Sequence, residues 1–338
     1  MAHALEISDT TGEVAFALRG APAWHGLANV NFDADEFVST TRMLEAAKLD
    51  KWDVRLLPVS TFTPADFRFG TESYMVARTN PFDGGTDVLA TVGERYRVVQ
   101  NEDLFAFGDA ILDGGASWES GGSIKDGRKV FGSLVIPREF TLDPSGAADK
   151  TVTYLLVNTS HDGSVAVQAS ITPVRVVCQN TLNIALGGTK QSFKIRHTQA
   201  VGGKVAAARE ALHLTYNYMD EFEVEAKALY ESAINDKQWN DIITNLYPKP
   251  DKDAKGSLTK WENKIDLLND IYFKSPTQTS IKGTAWGAVN ALTERLDYFR
   301  SARAGKSESI LAAASGFDPA INAEKGKIFQ AVKTLVAV

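Results

Sequence analysis

Two textures divide the chain. Up to about residue 200, apolar positions come in short runs separated by Gly, Asp and Asn. Beyond Gly202-Gly203 they recur with the period of a helix. Residues 1–30 read as irregular or hairpin-like. Asp33 to Lys48 predicts a short helix with Ser39 or Thr40 as N-cap and Met43, Leu44 and Ala47 on its apolar face. DVRLLPVSTF and SYMVARTN read as strands, and TDVLATVGERYRVV as two apolar segments around a Gly-bearing turn. NEDLFAFGDAILDGG predicts a helix with Asn101 as cap, acids in its first turn and Gly114-Gly115 at its end. A hairpin follows and turns at Asp126-Gly127, where glycine tolerates the positive φ of a tight turn. A second strand pair turns at Asp162-Gly163, and QSFKIRHT is a last short strand.

In the helical texture, Val205, Ala208, Leu212, Tyr216, Met219, Phe222, Ala226, Leu229 and Ala233 fall on one side of a long helix. YPKPDKDAKGS breaks it off, and LTKWENKIDLLNDIYF, TAWGAVNALTERLDYFRSA and a final apolar helix follow. The expected fold class is therefore α+β: a mixed or antiparallel sheet core with helices, followed by an all-α C-terminal part. Residues 1–200 would form the α+β core domain and 201–338 the helical domain.

Composition is that of an ordinary globular protein, with 44% apolar and 23% charged residues, so a packed core is expected. No apolar run reaches the length of a membrane span, and the first residues lack the pattern of a secretory leader. A lone cysteine, Cys178, excludes an internal disulfide and suits a reducing cytoplasm. No Cys/His spacing suits zinc, and no cofactor or metal is expected. GxxxxGK[ST], GxGxxG after a strand, HExxH and GxSxG are all missing, which counts against the common nucleotide-dependent and hydrolase classes.

Charge changes the picture. The net charge is −6, yet from Gly163 to Arg209 there is no Asp or Glu. That window carries Arg175, Lys190, Lys194, Arg196, Lys204 and Arg209. A segregated cationic region on an acidic chain suits an anionic ligand. Arg175 precedes Gln179-Asn180-Thr181, where Asn180 or Thr181 would cap a short helix whose free N–H groups suit phosphate. On a strand, period two puts Lys194 and Arg196 on one face, about 6.6 Å apart, with Lys190 on the same parity. A solvated edge strand protected by lysine explains the same pattern. Arg128 and Lys129 make a basic hairpin tip, and Arg95 and Arg97 flank Tyr96, which could stack a base. Cys178 with His161 or His197 is a possible nucleophile pair, although a cysteine after Val-Val is more often a small buried residue. Trp24-His25 reads as a ligand contact or an anchor over the core.

Several blocks resemble, in order, those of one family. They are Trp24-His25-Gly26-Leu27, Tyr96-Arg97-Val98-Val99-Gln100-Asn101, Asp126-Gly127-Arg128-Lys129-Val130-Phe131 and Asn158-Thr159-Ser160-His161-Asp162-Gly163, then TPVRVVCQNTL at 172–182 and TAWGAVNALTE at 284–294. The chain resembles the phage/plasmid-like protein family, of unknown function and carried by bacteriophages, prophages and plasmids. Ala28 stands where the first block usually continues with glycine, and Arg295-Leu296-Asp297-Tyr298 lacks the Asp-His ending of the last. The resemblance implies a bacterial or phage cytoplasmic setting and brings no activity.

These features favour a non-enzymatic nucleic-acid-binding protein of a phage or mobile element. It would bind or anneal single-stranded DNA rather than duplex, as a homo-oligomer with no membrane partner. Its expected contacts are Arg175, Asn180, Lys190, Lys194, Arg196, Arg128, Lys129, Arg97 and Tyr96. A structural or assembly protein of the phage particle is the alternative. A cysteine-dependent enzyme is a third reading.

Overall fold

The computed structural model describes residues 5–20, 28–59, 73–112, 115–142, 149–175, 180–181, 192–194, 201–250, 255–299 and 319–336. The chain begins with β1 (Phe16–Arg19), β2 (Val30–Phe32), α1 (Thr40–Ala46), β3 (Arg55–Pro58), β4 (Ser73–Thr79) and β5 (Thr86–Gly93). Next come α2 (Asn101–Leu112), β6 (Ser117–Ile124), β7 (Lys129–Thr141), β8 (Lys150–Ser160), β9 (Gln168–Arg175), β10 (Asn180–Thr181) and β11 (Ser192–Lys194). The helical region contains α3 (Val201–Glu231), α4 (Asp236–Leu246), α5 (Lys255–Lys274), α6 (Ala285–Tyr298) and α7 (Pro319–Val336).

The fold is α+β, as the pattern predicts. One sheet runs in the order β10-β9-β8-β7-β6-β1-β2, with β11 also paired to β9, and β3-β4-β5 form a separate meander. The large sheet is mixed, because β1 and β2 are parallel whereas β1–β6 and β6–β7 are antiparallel. Two compact units arise. One comprises Met1–Pro137, Tyr154–Ile171 and Ser192–Thr215; the other comprises Arg138–Thr153, Thr172–Gln191 and Tyr216–Val338.

In the first unit, Ser39 caps α1 by accepting from the Arg42 amide, and Met43, Leu44 and Ala47 are buried as their spacing predicts. Phe105 of α2 stacks on Trp118 of β6 with ring centroids 4.6 Å apart, and the Trp118 indole donates to Thr40 Oγ1 at 2.8 Å. Gly108 permits this approach, since a Cβ there would stand 2.3 Å from the Trp118 ring. One expected strand is absent. After β5 the chain turns at Glu94-Arg95, and the segment from Tyr96 to Gln100 is irregular, with Val99 buried.

In the second unit, Phe222 is the centre of a ring cluster and lies 6.0 Å from each of Phe140, Tyr218 and Trp286. Met219, Phe222, Ala226 and Leu229 of α3 are buried as expected, but the stripe is set one residue earlier upstream. Thr215 and Ala211, in the first unit's part of the helix, are buried in place of Tyr216 and Leu212. Ala233 is exposed. Trp239 of α4 stacks on Tyr272 of α5 at 4.2 Å.

Helix α6 starts at Thr284, whose hydroxyl accepts from the Gly287 amide at 3.0 Å. It is buried on nearly every side and still carries acids. Glu294 accepts from Thr277 Oγ1 at 2.6 Å. Asp297 pairs with Lys325 of α7 at 2.6 Å, and both side chains are shielded from water. Removing one partner of such a pair strands the other charge in the interior. Lys325→Met is expected to cost about 3–5 kcal/mol in urea unfolding, and Lys325→Met with Asp297→Leu much less.

Candidate functional site

The β6–β7 hairpin turns through Lys125, Asp126 and Gly127, all at positive φ, with the Arg128 amide bonded to the Lys125 carbonyl at 3.2 Å. Lys125 and Arg128 are exposed and Lys129 is half-buried. Burial, with Lys125 nearby, holds the Lys129 ammonium below its usual value, and Asp162 pulls it back up. The His161 amide donates to the Arg128 carbonyl at 2.8 Å, which ties the tip to the turn after β8. Inside that turn, Ser160 Oγ accepts from the Val165 amide at 2.8 Å and Asp162 Oδ1 from the Ser164 amide at 2.9 Å.

Tyr96 reaches the same turn. Its ring edge would lie 3.7 Å from a Cβ on Gly163, and its hydroxyl donates to the Ser160 carbonyl at 3.3 Å. Burial and then Asp162 push this phenol up to about 12. Arg97 is exposed and donates to the Glu94 and Tyr96 carbonyls at 2.9 and 3.1 Å. The structure thus brings Tyr96 and Arg97 to the same turn as Arg128 and Lys129. Tyr96 is committed to packing on that turn, so only part of its ring is available to a base.

Asn180 requires a correction. It is not a helix cap but the first residue of strand β10, directly opposite Arg175 in an antiparallel ladder. An extended, paired backbone does not present the free N–H groups of a helix start. Arg175 and Asn180 are nonetheless neighbours, as register partners. Lys194 lies on β11 opposite Gln168. Lys190, Arg196, Cys178, His197, Trp24 and His25 lie outside the described residues.

A polar centre with no local sequence signature lies beneath the hairpin. Arg78 of β4 is 1% exposed. Its guanidinium donates to both carboxyl oxygens of Glu6, through Nη1 at 3.0 Å and through Nη2. Its Nε and Nη2 also donate to Asp87 Oδ2, at 3.1 and 2.9 Å. Ser123 Oγ donates to Glu6 Oε2 at 2.7 Å. The guanidinium carbon lies 4.1 Å from the centroid of Trp52, and Gly127 passes so close that a Cβ would stand 2.2 Å from Arg78 Nη1. The partners of Arg78 come from segments distant in the sequence, so local pattern carries no trace of them.

His161 packs behind Trp52, with centroids 5.6 Å apart. Its Nε2 bonds Asn101 Oδ1 at 3.0 Å, while Asn101 Nδ2 donates to the Leu49 carbonyl at 2.8 Å. Asn101 therefore works inward and not as the cap of α2. Because Asn101 Oδ1 can only accept, His161 carries its proton on Nε2. Nδ1 is left buried without a partner among the described residues. Burial, then the charge of Arg78, lowers the imidazole to about 4. It is therefore neutral at physiological pH.

A depressed His makes the unfolded chain bind more protons between its ordinary 6.5 and about 4, so stability is complete above 6.5 and is lost as pH falls. Compared with His161→Gln, the wild-type chain should lose about 2 kcal/mol between roughly pH 7 and pH 5, read by urea unfolding at the two pH values.

The α+β architecture and its buried polar centre define a class only by fold. Residues 88–315 match the model of the family described as Domain of unknown function (DUF932), and the chain belongs to that family. No curated protein and no solved structure matches it. Among the described residues, no helix is long and apolar enough to cross a membrane.

Proposed function

We propose that the protein binds nucleic acid, single strands in preference to duplex, as a non-enzymatic component of a phage or other mobile element in the bacterial cytoplasm. The observation that carries this reading is the convergence of two cationic segments, far apart in sequence, on the turn at 160–163. Arg97 enters beside Tyr96, which is bonded to the Ser160 carbonyl. Arg128 and Lys129 enter through the carbonyl of Arg128, which accepts from His161. Exposed guanidinium groups on a stiff rim suit a phosphate backbone, and the free part of the Tyr96 ring adds a stacking surface. Asp162, an acid of that turn, is held by the Ser164 amide. Arg175 and Asn180, in the second unit, and Lys194 are further expected contacts from the acid-free window. Self-association would carry binding along a strand.

Phosphate contacts make binding salt-dependent, with a log–log slope of about −0.7 per contact on single strands. Arg128→Glu with Lys129→Glu should weaken binding to a dT oligonucleotide at least about tenfold at low salt and flatten the slope by roughly 1. Fluorescence anisotropy over a salt series, with single- and double-stranded oligonucleotides, reads both. Unchanged affinity in this variant, or no binding at low salt by the wild-type protein, overturns the proposal.

A further inference from the structure

A different group of residues in the first unit meets the chemical demands of an anion site. The ladder between β6 and β7 slips between Trp118 and Ser120, so Glu119 is the extra residue of a β-bulge and has no opposite partner. Bulges re-aim a side chain out of the regular alternation. Glu119 receives one hydrogen bond, from the Tyr154 hydroxyl of β8 to Oε1 at 3.0 Å. Its Oε2 has no hydrogen-bond partner among the described residues, and the side chain is half-buried, so solvent reaches it.

Arg19 of β1 stands beside this carboxyl. Its Nε donates to the Trp118 carbonyl at 3.1 Å and its Nη1 to the Ala34 carbonyl at 2.7 Å. Among the described residues no acid forms an ion pair with it, and its Nη2 has no hydrogen-bond partner. Bonded only to carbonyls, this half-buried guanidinium has no carboxylate hydrogen-bonded to it among the described residues. Burial pushes the Glu119 carboxyl up to about 8, against the pull of Arg19. Glu119 is therefore mostly protonated near neutral pH. Arg19 and Tyr154 are the titratable groups that face it. Burial and then Glu119 raise the Tyr154 phenol, which keeps it a donor. With Tyr154 occupying Oε1, the carboxyl proton on Oε2 has no protein acceptor. The group offers one uncompensated cation and one spare O–H donor, a combination complementary to an oxyanion.

We propose that Arg19, Glu119 and Tyr154 form a binding site for a small oxyanion, a carboxylate or a tetrahedral sulfate or phosphate group, which is taken up together with the Glu119 proton. Ionised Glu119 would repel the ligand and neutralise Arg19, so binding weakens as the carboxyl titrates. This site does not rest on the hairpin reading of function.

The test is calorimetric titration of the full chain with sulfate and, separately, with acetate, anions whose charge is constant between about pH 7 and pH 9. The wild-type protein should bind at least one of them at about pH 7, and about tenfold more weakly at pH 9. Preference for sulfate names a tetrahedral ligand and preference for acetate a carboxylate. Glu119→Gln keeps a neutral donor of the same shape, so it should bind at pH 7 and lose the pH dependence. Arg19→Gln should abolish binding in both. Failure of both anions to bind the wild-type chain, or an identical pH profile in wild type and Glu119→Gln, overturns the proposal.

Discussion

The first unit depends on one buried guanidinium. Arg78 brings a full charge into the interior, where an uncompensated ion would cost many kcal/mol. The fold answers by surrounding it. Glu6 takes it with both carboxyl oxygens, Asp87 with one, and Trp52 covers its face. Those partners are the N-terminal segment, strand β5 and the loop before β3, and the hairpin turn at Gly127 lies on the same group. One side chain therefore sets the position of four segments. An ion pair of this kind adds little net stability over a well-packed apolar core. Its value is that wrong arrangements leave a charge stranded. The basic tip at Lys125, Arg128 and Lys129 consequently projects from a base with little freedom to move.

How much of this was legible in the sequence depends on the range of the interaction. Helix α1 carries its cap at Ser39 and its apolar face within a few residues, and the β6–β7 turn carries Asp126-Gly127, so both are readable locally. Asn101 and Asn180 look like caps because asparagine before a helical pattern usually is one. Asn101 instead serves His161, sixty residues away, and Asn180 pairs across a ladder with Arg175. Only the first of these partners is remote in the sequence; the second belongs to a short local ladder. The stripe on α3 is legible at Phe222 and Leu229, both buried, and displaced by a residue where Thr215 replaces Tyr216. Of the expected contacts, Tyr96 with Arg97 and Arg128 with Lys129 prove to share a turn. Glu6, Arg78 and Glu119 have no signature of their own, because a single charged residue in an extended segment looks like a solvated position until its neighbours are known.

Helix α6 shows the same limit from the other side. Its sequence, with Asn290, Thr293, Glu294, Arg295 and Asp297, reads as amphipathic, yet all of these except Arg295 are buried. Period analysis assigns polar residues to water because an unpaired polar group in the interior is costly. Here the interior supplies partners, Thr277 for Glu294 and Lys325 for Asp297. Both units therefore hold buried ionic contacts that join remote parts of the chain, Glu6 to Arg78 in one and Asp297 to Lys325 in the other. The family block at 284–294 falls on this helix, and the block at 158–163 falls on His161. Both blocks thus fall on buried polar groups.

Two titratable groups of the first unit are perturbed in opposite senses, and together they shape its stability against pH. His161 is a base held neutral, so its contribution is lost as pH falls from 6.5 towards about 4. Glu119 is an acid held neutral, so its contribution is complete below its ordinary 4.5 and is lost as pH rises towards about 8. Between about 4.5 and 6.5 the two slopes oppose and largely cancel. Above 6.5 only Glu119 still titrates, and stability declines towards 8. Near neutral pH the strain therefore resides at Glu119 and not at His161. Strain at a half-exposed carboxyl beside an unpaired guanidinium is relieved when an anion arrives and makes use of the retained proton. A buried imidazole tied to Asn101 has no comparable outlet, which assigns His161 to the scaffold and Glu119 to chemistry at the surface.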